Sequence, residues 1–182
     1  MADQKISAMP SATTLTGAEL VPLVQSGANV QTNVYTLTAA TYAEIYVASG
    51  TTSQTLTNAN QFYTLTAFTT DGLSNNMTPV AASNKITFDV AGQYLVQFFI
   101  TFTDSNNKTF TFRCLNSTTN TPYLNTVVKS HSHSVDPMFV AVSAFVTVAA
   151  GDDVIVQAAC ATAGTAITVS DANFAALLLK AS

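Results

Sequence analysis

The sequence contains no tryptophan, two cysteines in 182 residues, and very little charge: only 9% of its residues are Asp, Glu, Lys or Arg. Average soluble domains carry about 25%. Disordered chains depart in the other direction, with high charge and low hydrophobicity, so a chain that is 48% hydrophobic is expected to fold. A folded chain this poor in charge must cover its surface with neutral polar residues or with other subunits. The six basic residues, Lys5, Lys85, Lys108, Arg113, Lys129 and Lys180, are scattered against a net charge of −4. They form no stripe that could follow a phosphate backbone, so no nucleic-acid partner is expected.

Long apolar runs are missing too. The longest, "PMFVAVSAFVTVAA", is interrupted by Ser143 and Thr147 and is short for a bilayer span. The N-terminus has no basic region followed by an apolar run, so no secretory signal is visible. The expectation is a soluble protein without a membrane partner. Cys114 and Cys160 lie in apolar, strand-like runs without metal spacing. They read as buried free thiols, or as a disulfide if their strands are neighbours.

What is present is a period of two, interrupted by Gly, Asn and Asp. In "NKITFDV", Ile86, Phe88 and Val90 share a face, and after "AGQ" a long strand places Tyr94, Val96, Phe98, Ile100 and Phe102 together. "DSNN" turns the chain into Phe110, Phe112 and Cys114, which alternate with Thr111 and Arg113. "MFVAVSAFVTV" is apolar on both faces, and "AAGDD" leads from it into Val154, Val156, Ala158 and Cys160. "EIYVAS" and "NQFYTLTAF" read as two earlier strands, and a final hairpin is expected to join "AITVS" to "NFAALLLKA". Many short strands without helices predict an all-β antiparallel sandwich or jelly roll. A sandwich strand needs one apolar face only. Strands apolar on both faces therefore call for a symmetric homo-oligomer.

"NKITFDVAGQYLVQFFITFT" resembles the central signature of the C1q and tumour-necrosis-factor jelly rolls, a strand ending in Phe-x-Val, a Gly, then an aromatic strand. "VSAFVTVAAGDDVIVQA" is similar to a later segment of that family, and "NFAALLLKA" to its closing strand. The three pieces come in the family's order. The resemblance implies a C1q/TNF-like jelly roll over residues 43–182 and a homotrimer. A collagen-like stalk and an acidic calcium cluster are absent, so the animal ligand functions are not carried over.

The stretch "KISAMPSATTLTGAELVPLVQSGANVQTNVYTL" resembles a short N-terminal module of bacteriophage virion proteins, tail fibres and head fibres among them. Its markers are Lys-Ile-Ser-x-x-Pro at 5–10, Leu-Thr-Gly-x-Glu-Leu-Val-Pro at 15–22, and a turn at Gly27. Physically, "ELVPLVQ" and "VQTNVYTL" are two short strands around "SGAN", with Pro22 suited to an edge. An isolated hairpin is marginal in water. Residues 1–42 are thus expected to be an extended arm with a short hairpin, anchored to a virion through Leu20, Leu23, Val24 and Tyr35.

Little chemistry is visible. His131 and His133 share a face if extended, but no Asp, Glu or Cys stands beside them to complete a metal shell, and they read as polar loop residues. Asp152 and Asp153 point to opposite faces of a strand and cannot work as a paired acid and base. Nucleophile elbows and phosphate loops are absent. No enzyme, cofactor or metal is expected. The Asn-rich stretches "DGLSNNMTP" and "NSTTNTPYLN" would suit a host-surface glycan, but their composition is ordinary turn chemistry. The expected function is that of a homotrimeric capsid decoration (cement) or head-fibre protein. It would be made in the host cytoplasm, sit on the virion surface, and dock on the major capsid protein or another virion component. The alternative is a small tail fibre or tail-tip protein binding a host receptor. Absence of heptads or a repeat-built shaft between arm and head favours decoration.

Overall fold

A computed structural model describes residues 20–25, 28–33, 40–48, 50–104, 108–128 and 137–181, with the backbone course only for 20–33 and 124–128. The chain divides between Ala39 and Ala40 into two compact units. In the first, β1 (Leu20–Gln25) pairs antiparallel with β2 (Ala28–Asn33), Pro22 standing opposite Gln31. Among the described residues neither strand has a second neighbour, so the missing N–H of Pro22 is tolerated at an edge.

The second unit is an antiparallel sandwich of two six-stranded sheets. Its strands, in chain order, are β3 (Tyr42–Tyr46), β4 (Thr52–Leu56), β5 (Tyr63–Thr64), β6 (Thr70–Asn75) and β7 (Thr78–Val80). They continue with β8 (Lys85–Phe88), β9 (Gly92–Asp104), β10 (Phe110–Asn116) and β11 (Thr121–Val128). The last three are β12 (Met138–Val148), β13 (Asp152–Cys160) and β14 (Thr165–Ala181). One sheet runs β11-β10-β13-β8-β7 with β5 beside β13; the other runs β12-β9-β14-β3-β6 with β4 beside β14. Sequence neighbours β8 and β9, and β9 and β10, lie in opposite sheets. The core therefore forms between them.

That core is aromatic. Phe102 of β9 meets Phe110 at 5.1 Å and Phe112 at 5.4 Å from the opposing sheet, and Phe88 packs edge-on against Tyr94 at 4.7 Å. The alternating β9 residues Tyr94, Val96, Phe98, Ile100 and Phe102 are all buried, as their period of two requires. The Tyr94 hydroxyl donates to the Val90 carbonyl at 2.6 Å, so its polar tip is not left bare. Burial, with the Asp89 charge second, raises its pKa. Turns use the residues that tolerate left-handed backbone: Asn76 (φ 52°) between β6 and β7, Asn120 (φ 56°) before β11, and Gly151 (φ 86°) between β12 and β13. Gly92 is required for another reason: a Cβ there would stand 2.5 Å from the Lys180 carbonyl oxygen of the neighbouring strand.

Besides "NQFYTLTAF", of which only Tyr63–Thr64 forms a strand, two sequence expectations need correction. The final hairpin is one continuous strand. In β14 the pairing with β9 passes from Val169 directly to Asp171, a bulge at Ser170. The bulge shifts the alternation by one residue, so that Ile167 and Val169 and then Ala172, Phe174 and Ala176 all face inward. The change of parity looks like a turn in sequence but is a kink. Secondly, "DGLSNNMTP" is not a loop: it supplies most of β6, a tight turn, and the start of β7. Asp71 is held there by accepting the Ala81 amide at 2.5 Å.

Candidate functional site

The outer face of the β12-β9-β14-β3 sheet is where the period of two leaves apolar residues in water. Phe145 is 80% exposed and Phe139 62% on β12, Phe99 39% on β9, and Leu177 40% and Leu179 51% on β14. The Phe99 and Phe139 rings touch, with centroids 6.0 Å apart. A hollow beside them is lined by Gln97, Ala141, Ser143, Asn173 and Ala175. In the same face the Asn173 amide donates to the Glu44 carboxylate at 3.0 Å, and the Glu44 side chain lies over Gly72, where no Cβ would fit. The face thus has an aromatic side on β12 and β9, an aliphatic side on β14, and polar groups between. Several exposed large apolar side chains gathered on one sheet face of a folded domain point to an interface.

The other sheet presents a different outer surface, on which Lys85, Thr87 and Asp153 are paired with one another. Asp153 accepts the Lys85 ammonium at 2.6 Å and the Thr87 hydroxyl at 2.6 Å. Burial alone would raise its pKa, but these two hydrogen bonds and the Lys85 charge outweigh it and the net shift is downward. Asp152, on the inward side, accepts the Asn116 amide at 2.8 Å and the Ala149 backbone N–H at 3.1 Å. Asn116 also donates to the Tyr123 hydroxyl at 3.0 Å, which donates in turn to the Thr147 carbonyl. This closed network pins the β12–β13 turn to β10 and β11. The two aspartates are structural and face apart.

Arg113 is placed differently. On β10 it points outward between the buried Phe112 and Cys114, and its guanidinium carbon lies 3.8 Å from the centroid of the Phe62 ring. Its Nε donates to the Gln157 side-chain oxygen at 2.8 Å. Partial burial lowers its pKa. Phe62 is carried by a short loop that is itself tied down. Asn58 donates to Gln61 at 2.6 Å, the Asn58 backbone N–H donates to the Tyr63 hydroxyl at 3.0 Å, and the Asn60 N–H donates to the Cys160 carbonyl at 2.7 Å. Arg113 and Phe62 line a second hollow with Asn60, Thr109 and Thr111.

No protein-family profile matches the chain, and no curated protein does. Solved structures do. The chain is similar to Eiger TNF from S. frugiperda, with a TM-score of 0.53 and 16% identity over 77% of this chain and 92% of that one. It is similar to the globular domain of zebrafish complement 1qA protein, at 0.53 and 14% over 78% and 99%. Murine APRIL matches at 0.51 and 11% over 77% and 99%. The fold is the C1q/TNF jelly roll. At such identities the likeness concerns fold alone.

Within this jelly roll Cys114 and Cys160 do lie on adjacent strands, but the register separates them. Cys114 stands opposite Val156, and Cys160 opposite Phe110. Four residues of strand amount to about 13 Å, beyond disulfide reach. Both are buried free thiols, and burial pushes Cys114 up to about 12. Leu20, Leu23 and Val24 fall in β1, opposite Asn33, Val30 and Asn29. Tyr35, His131 and His133 lie outside the described residues. Among the described residues no group of His, Cys, Asp and Glu is arranged to hold a metal, and no helix is long and apolar enough to cross a membrane. Sequence reasoning missed the Arg113–Phe62 pair. The signal was an arginine at an outward position of an apolar strand; the ring beneath it comes from a distant loop.

Proposed function

We propose that the jelly roll is one protomer of a homotrimer, and that the trimer is a bacteriophage structural protein of the capsid decoration or head-fibre type. Its N-terminal arm holds it on the virion surface. The observation that carries the trimer is the exposed apolar face on β12, β9 and β14. Its aromatic and aliphatic sides differ, so one copy's aromatic side can meet the next copy's aliphatic side. Such a heterologous contact forms a ring when its rotation closes, and the sequence resemblance to the C1q/TNF family implies a ring of three. The domain acts by binding, not by catalysis: its described aspartates with resolved contacts are engaged in structural hydrogen bonds.

The virion assignment is supported by the phage-module markers between Lys5 and Leu37. Decoration is favoured over a tail fibre because only residues 34–41 separate β2 from β3, which leaves no room for a shaft. The test is deletion of residues 1–39, which stops short of β3, followed by co-sedimentation with phage particles lacking their own copy. The expected result is a soluble trimer that stays in the supernatant. Retention on particles at full-length occupancy would show that the jelly roll itself does the anchoring, and overturn the proposal for the arm.

A further inference from the structure

We infer that the hollow around Arg113 is a binding site for a carboxylate-bearing sugar, of the uronic or sialic acid class. Arg113 is held on three sides: the Phe62 ring lies 3.8 Å away, Gln157 takes its Nε, and the strand fixes its stem. Gln157 is itself only 8% exposed and so cannot swing away. The two terminal nitrogens of the guanidinium make no hydrogen bond among the described residues, although every described acidic partner in this sheet lies elsewhere, Asp153 on Lys85 and Asp152 on Asn116. A guanidinium whose Nε is occupied and whose terminal edge is open presents the fork that grips a carboxylate through two parallel hydrogen bonds. Pre-organisation by the ring and by Gln157 removes much of the entropy cost of that grip.

The rest of the lining selects among carboxylates. The Asn60 amide and the Thr109 and Thr111 hydroxyls also make no side-chain hydrogen bond among the described residues, and all three line the hollow with Arg113. A donor-and-acceptor amide with two hydroxyls complements the hydroxyl groups of a sugar ring. An extended acidic peptide would instead seek a second cation. Lys85 is paired with Asp153, and no lysine lines the hollow. The site lies on the sheet opposite the apolar face, so it stays open whether or not copies associate, and the inference stands apart from the trimer and from the virion assignment.

The test titrates the full-length protein with N-acetylneuraminic acid, galacturonic acid and neutral galactose, followed by NMR of the Arg113 side-chain Nε–H and the Phe62 and Thr111 amides. Both acids should shift these signals with millimolar Kd, and galactose should bind at least about tenfold more weakly. R113Q should abolish the shifts of the Phe62 and Thr111 amides while the protein keeps its β circular dichroism signal, with a melting temperature lowered slightly by loss of the Phe62 and Gln157 contacts. N60G keeps the left-handed backbone (φ 59°) and removes only the amide, and should weaken both acids severalfold. Equal binding of galactose and galacturonate, or undiminished binding by R113Q, overturns the inference. Tighter binding of an acidic peptide than of either sugar acid also overturns it, in favour of a protein partner. Absence of any shift at tens of millimolar sugar acid does so outright.

Discussion

Phe145→Ser separates folding from assembly. The ring is 80% exposed in the single chain, so its loss should change the stability of an isolated protomer by no more than about 0.5 kcal/mol. In a trimer the same ring is covered. Aromatic side chains bury roughly 150–250 Å², and covering most of that area is worth about 2–4 kcal/mol per interface at ~25 cal/mol/Å² once incomplete cover is allowed for. A ring of three repeats the contact three times, so the monomer–trimer equilibrium should move by roughly 6–12 kcal/mol, at least ~10⁴-fold. Phe102→Ala is the contrasting change. Phe102 is fully buried against Phe110 and Phe112, and its truncation should cost about 3–5 kcal/mol of folding in each protomer without touching the outer face.

The assay is light scattering of the full chain at tens of micromolar, paired with circular dichroism melting. Wild type should give three times 19.1 kDa, and Phe145→Ser 19.1 kDa with its β signal retained. A wild-type monomer would refute the reasoning, as would a Phe145→Ser protein that stays trimeric with an unchanged dilution profile.

Two further outcomes follow from the buried polar groups and thiols. Asp153 has its folded pKa depressed below the ordinary 3.8, so its contribution is fully present above that value and is lost as pH falls through the folded pKa. Asp153→Asn should be less stable than wild type at pH 6 by roughly 1 kcal/mol or less, given the partial exposure of the pair, and the gap in urea denaturation should close below about pH 4. Cys114 and Cys160 should be silent to a thiol reagent at pH 8 in the native protein and both react in denaturant, with no reductant needed; one thiol or none in denaturant would mean that they pair.

Alternation made the inner faces of β8, β9, β10 and β13 legible, because Ile86, Phe88, Tyr94 to Phe102, Phe110 and Phe112 repeat at two residues and no helix competes for them. It also made the second apolar face visible, since Phe139 and Phe145 have no reason to alternate with buried valines in a strand that faces water. What could not be read was parity across the Ser170 bulge, because one extra residue in a ladder and a turn leave the same trace in sequence. The short edge strands β4, β6 and β7 were hidden for a different reason. β4 and β6 are mostly small polar residues and Gly and β7 is only Thr-Pro-Val, so they exist because β14, β3 and β8 offer them hydrogen bonds, not because of their own propensity. The pairs that define the two surfaces, Asn173 with Glu44 and Arg113 with Phe62, join residues far apart in sequence, and only the register brings them together.

Assembly and anchoring are coupled in the proposed function, and one substitution reads the coupling. The β1–β2 hairpin offers two short strands and few core-sized residues, so a single arm should dock weakly. Three arms on one trimer act together: once the first is engaged, the others bind at the effective concentration set by their tether, which raises overall avidity by roughly 10²–10⁴. Phe145→Ser leaves every residue of the arm in place but should divide the trimer. It should therefore release the protein from particles lacking their own copy almost as completely as deletion of 1–39 does, measured by co-sedimentation at the same protomer concentration. Raising that concentration should restore binding of Phe145→Ser, since its arms are intact, and should not restore binding of the deletion. A monomeric Phe145→Ser protein that sediments at wild-type occupancy would mean that one arm suffices, and that the apolar face serves something other than attachment.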